Sequence, residues 1–320
     1  MIRLGLDAMG GDHAPQAIVK GAVAALKELG GDCRVVLYGD RDRIEEVLRE
    51  ENTSPELFDI VHTTEVIGFD DSPSQAFVKK PGSSIAVGFS HLKTGKIDGF
   101  ASAGSTGAML VGSMLTVKQT EGVIRPTIAA VVNNVMGGPL MLLDVGLNVD
   151  SRADVLYQWG IIGSLYINHV MGVENPRVAL LNIGEEREKG DLTARAAHEL
   201  MASGDDFNFV GNIEGKDIFT GRVADVIVCD GFVGNAVLKQ AEGFYSILKK
   251  NGVKDGFVDS LNYELYGGTP ILGVNGAVVV GHGRSTPLAI KNMVLQTEKM
   301  AKADIGVRIK EAFSHIAPKL

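Results

Sequence analysis

The chain has 320 residues, 45% of them hydrophobic and 22% charged, with a formal net charge of −8. That composition suits a globular chain with ample core, and the acidic balance argues against a general nucleic-acid binder, which needs a basic face. Two cysteines, Cys33 and Cys229, exclude a disulfide framework or a zinc-ligand spacing and fit a reducing, cytoplasmic compartment.

Ile2–Leu6 predicts a strand at the N-terminus, with no signal-peptide pattern. Asp7 closes it, and the polar turn through His13 reaches Pro15, which suits the first turn of a helix. Ile18, Val19, Ala22, Val23 and Leu26 recur at helical spacing, and Gly30 and Gly31 end that helix. Val35–Tyr38 is the next strand, and Ile44, Val47 and Leu48 mark a short amphipathic helix. This alternation predicts a parallel α/β sheet.

Residues 63–82 read as loop and Ile85–Leu92 as helix. Asp98–Ala101 leads into Ser102–Ala108, a Ser/Gly/Thr turn that resembles an anion cradle through Gly104, Ser105 and Thr106. Ser105 or Thr106 could equally be an N-cap. Strands follow at Thr127, Met141–Leu143 and Val178–Leu181. The apolar window Val155–Val173 contains Gln158, Asn168 and His169, so it predicts a buried helix and not a membrane span. Asn182–Asp191, which includes Lys189, lacks P-loop spacing, and no Gly-x-Gly-x-x-Gly occurs anywhere.

Phe209–Gly243 is the organising stretch. Val226–Cys229 predicts a strand buried on both faces, closed by Asp230, with a turn over Gly231–Asn235 and a helix from Ala236. Strand, glycine turn and helix start aim backbone N–H groups at an anion. A second polar, glycine-containing segment, Gly211–Asp217 with Asn212, lies upstream. Gly267–Pro270 then predicts a turn, and Ala277–Val280 a strand followed by His282 and Arg284. In a parallel sheet the polar turns at Asp7, Gly104, Asp144, Asn182, Asp230 and His282 would line one edge and face a common cleft. Residues 1–320 are expected to form one domain, with room for two lobes around that cleft.

These segments carry a resemblance. DAMGGD at Asp7–Asp12, SAGSTGA at Ser102–Ala108, Arg125-Pro126, LLDVGLNVD at Leu142–Asp150, LLNIGEEREKG at Leu180–Gly190, GNIEGKD at Gly211–Asp217, VCDGFVGN at Val228–Asn235 and GGTPILG at Gly267–Gly273 run in order along the chain. Together they closely resemble the bacterial acyl-(acyl-carrier-protein):phosphate acyltransferase (PlsX) family. The chain departs from it at Ser105, where Asn is expected, at Leu147 for Ala and Arg284 for Ser, and in a shorter segment 244–266.

The resemblance implies an αβα sandwich with a mostly parallel sheet, isocitrate/isopropylmalate dehydrogenase-like and shared with phosphotransacetylases. It implies transfer of a fatty acyl group from acyl carrier protein to inorganic phosphate, for phospholipid synthesis. A homodimer and a peripheral link to a membrane acyltransferase that consumes the product follow from it, with no cofactor, no metal and no nucleic acid. The residues expected to carry the reaction are Lys189, neutralising phosphate or the oxyanion, and Asn235, positioning the reacting group. Asp7, His13, Gly104, Ser105, Thr106, Asn212, Asp230 and His282 are the expected substrate contacts.

Alternatives are an acyl-CoA:phosphate acyltransferase of phosphotransacetylase type, a metal- and nucleotide-dependent dehydrogenase on the same fold, and a non-catalytic acyl-chain or carrier-protein binding module. Phosphate is already a nucleophile and a pantetheine thiolate already a good leaving group, so no Ser-His-Asp triad is required. Lys249, Lys250 and Lys254, with Lys79 and Lys80 second, are expected to dock the acidic carrier protein. Phe257, Val258 and Leu261 are the expected membrane-facing tip.

Overall fold

The computed structural model describes residues 1–315. In chain order the elements are β1 (Ile2–Asp7), α1 (Gln16–Leu26), β2 (Cys33–Gly39), α2 (Arg41–Glu50), β3 (Asp59–His62), α3 (Pro73–Lys79), α4 (Ser84–Lys93), β4 (Gly99–Ser102), α5 (Thr106–Gly112), β5 (Thr127–Asn133), β6 (Pro139–Leu143), α6 (Ala153–His169), β7 (Arg177–Leu181), α7 (Leu192–Ser203), β8 (Asn208–Ile213), β9 (Val226–Val228), α8 (Gly231–Lys250), α9 (Gly256–Ser260), β10 (Thr269–Leu272), β11 (Ala277–Val280), α10 (Pro287–Lys302) and α11 (Ile305–His315). Helix starts follow local chemistry. Asp40, Asp191 and Asp230 each accept a backbone N–H from the first turn of α2, α7 and α8. This satisfies donors that the helix itself leaves unpaired.

The chain divides into two compact units. The first comprises residues 1–120 and 263–307. Its strands run β3-β2-β1-β4-β11-β10, all parallel except β10, which is antiparallel to β11. Leu4, Leu6, Val35, Leu37, Phe100 and Val278 are buried between the helices, as expected for strands covered on both faces. Helices α1 and α10 pack closely because Gly21 has no side chain: an added Cβ would lie 2.4 Å from the Cβ of Ile290.

The second unit comprises residues 121–262 and the chain from Arg308. Its strands run β5-β6-β9-β7-β8, with β5 antiparallel to β6 and the rest parallel. Helix α6 lies on this sheet through Trp159, Ile162 and Tyr166, all buried, and the Trp159 indole donates to the Arg125 carbonyl at 3.0 Å.

Several local expectations are corrected. Part of the 63–82 loop is helix α3, with Pro73 at its first turn. The polar segment at Gly211 and Asn212 is edge strand β8; Gly211 has φ +100°, and the register with β7 shifts there. A bulge centred on a glycine hides the alternation that marks a strand. Thr269–Leu272 is strand and not turn, because β11 pairs with it. Helix α8 begins at Gly231, so Asn235 lies inside its first turns rather than in a preceding loop.

The expected membrane tip is also corrected. Val258 is buried, Phe257 is half-buried against Phe219 with ring centroids 6.2 Å apart, and α9 packs on β5. Apolar side chains on a five-residue helix lying over a strand are drawn into the core. Among the described residues no helix is long and apolar enough to cross a membrane.

Candidate active site

In the first unit three strand ends converge. Asp7, at the end of β1, is buried and accepts from the Ser102 hydroxyl at 2.6 Å and the Met9 amide at 3.0 Å. Ser102 Oγ in turn accepts from the Gly104 amide at 2.9 Å. Burial pushes the Asp7 carboxyl up, and the bonds from Ser102, Ser84, Met9 and Gly10 oppose that. Gly10 sits where any side chain would collide with this group, an added Cβ lying 2.3 Å from Asp7 Oδ2. The Asp12 amide donates to the Gly283 carbonyl at 2.8 Å, which ties the turn after β1 to the turn after β11. His13 and His282 are exposed on these two turns. The Arg284 amide donates to His282 Nδ1 at 3.2 Å.

The same geometry sorts the Ser102–Ala108 turn. Ser105 is the N-cap of α5, its Oγ accepting from the Ala108 amide at 3.3 Å, so the bland alternative describes its hydroxyl. Gly104 is buried and Thr106 exposed.

In the second unit Asp144, Asn182 and Asp230 close β6, β7 and β9 at one sheet edge, where Leu143 and Leu180 both register with Val228. The loop after β7 is pinned from below. Asn182 Nδ2 donates to the Lys189 carbonyl at 3.1 Å, and Asn212 Nδ2 donates to the Glu186 carbonyl at 2.9 Å. Asn212 Oδ1 takes a bond from His198 Nδ1 at 3.0 Å, so this buried amide is occupied at both ends and holds the loop. Lys189 rides on that loop, exposed, its stem over Gly184, and its ammonium has no hydrogen bond or ion pair among the described residues.

At α8, Asp230 Oδ1 caps the Val233 amide at 2.8 Å and the Asn148 carbonyl takes the Gly231 amide at 2.7 Å. The Phe232 amide is the one first-turn donor left over among the described residues, fewer than the glycine turn suggests. Asn235 is exposed beside Gly146. Sequence reasoning placed Asp144 only among the polar turns expected to line the cleft. Yet it is fully buried and accepts from Gly146, Leu147 and Asn148 amides at 2.8, 2.9 and 2.9 Å, and from Asn148 Nδ2 at 2.6 Å. The signal that points to it is an Asp two residues before a glycine, which reads as a side-chain-closed turn. His198 carried no signal; it lies in the middle of a helix pattern.

Among the described residues two groupings have ligand atoms close enough for a metal: Asp32, Cys33 and Glu298, and Glu185, Glu214 and Asp217. The first is compensated by Lys302, 2.9 Å from Glu298 and 3.3 Å from Asp32, and Lys216 pairs with Glu214 in the second. Neither includes Asp7, Asp144 or Asp230. Burial and the neighbouring Asp230 and Asp144 push the Cys229 thiol up, and burial and Glu298 push Cys33 up to about 12. Both are poor nucleophiles near neutrality. Of the expected docking lysines, Lys249 is paired with Asp259 at 2.7 Å and Lys80 with Asp71 at 2.5 Å.

Comparison with known proteins bears on this arrangement. A family model described as "Fatty acid synthesis protein" matches residues 2–308. A phosphate acyltransferase of Heliobacterium modesticaldum is 43% identical, covering 100% of this chain and 99% of that protein. One of Dictyoglomus turgidum is 39% identical, covering 99% of each. Among solved structures, a phosphotransacetylase from Streptococcus pyogenes superposes with a TM-score of 0.69 at 18% identity over 94% of each chain. That match corrects the expected isocitrate/isopropylmalate dehydrogenase-like fold: the architecture is of the phosphotransacetylase type. Periodicity and turn chemistry report only that strands and helices alternate, a property many α/β architectures share. The antiparallel pairings of β5 and β10 are set by contacts no local pattern carries.

Proposed function

The chain belongs to the phosphate acyltransferase family, and we propose that it moves a fatty acyl group from acyl carrier protein to inorganic phosphate, with Lys189 and Asn235 carrying the reaction. It is an enzyme that transfers acyl groups to phosphate; the carrier-protein donor and the two residue roles are the finer part of this reading. A phosphate oxygen attacks the thioester carbonyl, the C–S bond breaks from the tetrahedral intermediate, and the pantetheine leaves as thiolate. Neither step needs a strong base or acid. What the protein must supply is approach of two anions and stabilisation of the oxyanion.

The observation that carries the reading is Lys189: a cation with no partner among the described residues, on a loop fixed by Asn182 and Asn212. A solvated surface charge needs no such support, and an ammonium held without a counter-ion is available to an incoming anion. Asn235, on the same sheet edge, would hold the reacting group with its exposed amide. In the second unit the half-buried Asp230 and buried Asn212 act by shaping their loops; in the first unit buried Asp7 shapes its turn, and His13, Thr106 and His282 are exposed. The proposal extends to a homodimer, to which exposed Phe244 and Ile247 of α8 offer an apolar surface, and to delivery of acyl phosphate to a membrane acyltransferase.

The test is to incubate acyl carrier protein thioester and, separately, acyl-CoA with phosphate and to detect acyl phosphate. Lys189→Ala should lose most turnover yet move stability by about 0.5 kcal/mol or less, as for an exposed side chain. Full turnover in that variant removes Lys189 from the mechanism, and exclusive use of acyl-CoA removes the carrier protein.

A further inference from the structure

We propose that Asp144 is a positioning residue for Asn235, acting through the loop Gly146–Asn148; this rests on the reading that Asn235 holds the reacting group. An ionised carboxylate offers about four lone-pair sites on its two oxygens. On Asp144 all four are filled, and all from one loop: Oδ1 by the amides of Gly146 and Leu147, Oδ2 by the amide and side chain of Asn148. Asn148 Nδ2 also reaches the Pro126 carbonyl at 2.9 Å, which anchors the loop to the start of β5.

The loop has little else to hold it. Gly146 is exposed, and Leu147 and Asn148 are only half-buried. Its shape is therefore set by one buried charge and not by hydrophobic packing. A neutral acceptor could close a turn with one or two bonds; gathering four donors needs the full carboxylate.

The outer surface of this loop is where α8 is seated. The Asn148 carbonyl takes the first amide of α8, from Gly231, at 2.7 Å. The Asp144 carbonyl lies against Gly234, where an added Cβ would be 1.9 Å away. Gly146, at φ +122°, faces Asn235, and a Cβ there would lie 3.4 Å from Asn235 Cβ, Cγ and Oδ1. Three successive points of contact thus fix the helix turn that carries Asn235. They matter because Gly231 and Gly234 are the buried residues of α8, and its remaining side chains are exposed or half-exposed. With the loop displaced, little else described in this unit would keep Asn235 in place.

The experiment is a double-mutant cycle on acyl phosphate formation. Asp144→Asn keeps one acceptor oxygen and turns an NH2 toward the loop donors. It should lower kcat about a hundredfold, the cost of a misplacement near 1 Å, while leaving KM for the acyl carrier substrate nearly unchanged. In the Asn235→Ala background the same change should cost nothing further, because the group it positions is gone. A purely structural role predicts that the two losses multiply, and that result overturns the proposal. Gly146→Ala, which leaves the carboxylate but strains the loop at φ +122° beside Asn235, tests the link from loop to Asn235 by the same cycle if Asp144→Asn does not fold. Full activity of Asn235→Ala alone would instead overturn the role of Asn235, and this proposal with it.

Discussion

Two glycines on one helix should respond to alanine with opposite signs. At Gly234 an added Cβ would lie 1.9 Å from the Asp144 carbonyl oxygen and 2.9 Å from Cys229 Sγ. An ordinary contact is about 3.5 Å, so the first turn of α8 must lift by roughly 1.5 Å. Such overpacking costs about 1–3 kcal/mol. Lifting also strains the bond from the Gly231 amide to Asn148, worth about 1 kcal/mol. The better helix propensity of alanine returns about 1 kcal/mol. Gly234→Ala should therefore destabilise by about 2 kcal/mol.

At Gly243, on the exposed side of the same helix, an added Cβ meets nothing within 4 Å. Gly243→Ala should stabilise by about 0.5–1 kcal/mol. Urea unfolding reads both, because the single tryptophan, Trp159, is fully buried in the same unit and its fluorescence reports that unit opening. Gly234→Ala should also lose turnover, since Asn235 follows it, and Gly243→Ala should not. Midpoints that move in the same direction would refute the account of how α8 is seated.

Further outcomes follow from the site and its surroundings. Cys33→Ser with Cys229→Ser should keep most turnover, and kinetics should show both substrates bound together; an acylated enzyme trapped without phosphate would contradict this. Because the folded Cys33 thiol sits above its ordinary value of 9.0, at about 12, its alkylation by iodoacetamide should rise only well above pH 9 in native protein, and stability drawn from its neutral form should be lost as pH climbs from 9 toward 12. Alkylation that tracks the denatured protein would show that Glu298 and burial do not act as described. Lys250→Glu with Lys254→Glu should raise KM for the carrier-protein substrate at low salt more than Lys249→Glu, whose ammonium is already paired with Asp259. Equal effects would remove that distinction. Val258→Ala should cost about 1–2 kcal/mol of stability without altering co-sedimentation with anionic vesicles; loss of vesicle binding at unchanged stability would restore α9 as a membrane tip.

The sequence was most informative where one strand end carries its own chemistry. Val226–Cys229 followed by Asp230 and glycines could be read as strand, turn and helix because each step is local, although the helix starts at Gly231, with Asp230 as its cap, and not at Ala236. Lys189 and Asn235 were singled out by the family resemblance; local pattern marked only the polar turns past apolar runs in which they and Asn182 lie. Other features depended on partners far away. Gly211 hides a strand whose pairing with β7 is interrupted at a bulge. Thr269–Leu272 looks like a turn because its strand character comes from β11. Val258 looks like an exposed apolar residue until β5 is beneath it. Asp144 is the clearest case. Its donors lie within four residues, so the turn could be foreseen, but that turn touches α8 only because β6 and β9 are neighbours.

The discontinuity of the first unit has a consequence for how the chain is made. Strand β4 ends at Ser102, and its neighbour β11 begins at Ala277. During synthesis the second unit, apart from its C-terminal stretch, is complete before β11 leaves the ribosome. Until then β4 presents an open, apolar edge, and α1 lacks α10 above Gly21. Unpaired edges of that kind invite pairing with other chains. A nascent chain arrested between residues 262 and 277 would carry one nearly finished unit and one that needs shielding. Such truncated chains should be bound by chaperones through residues 1–120.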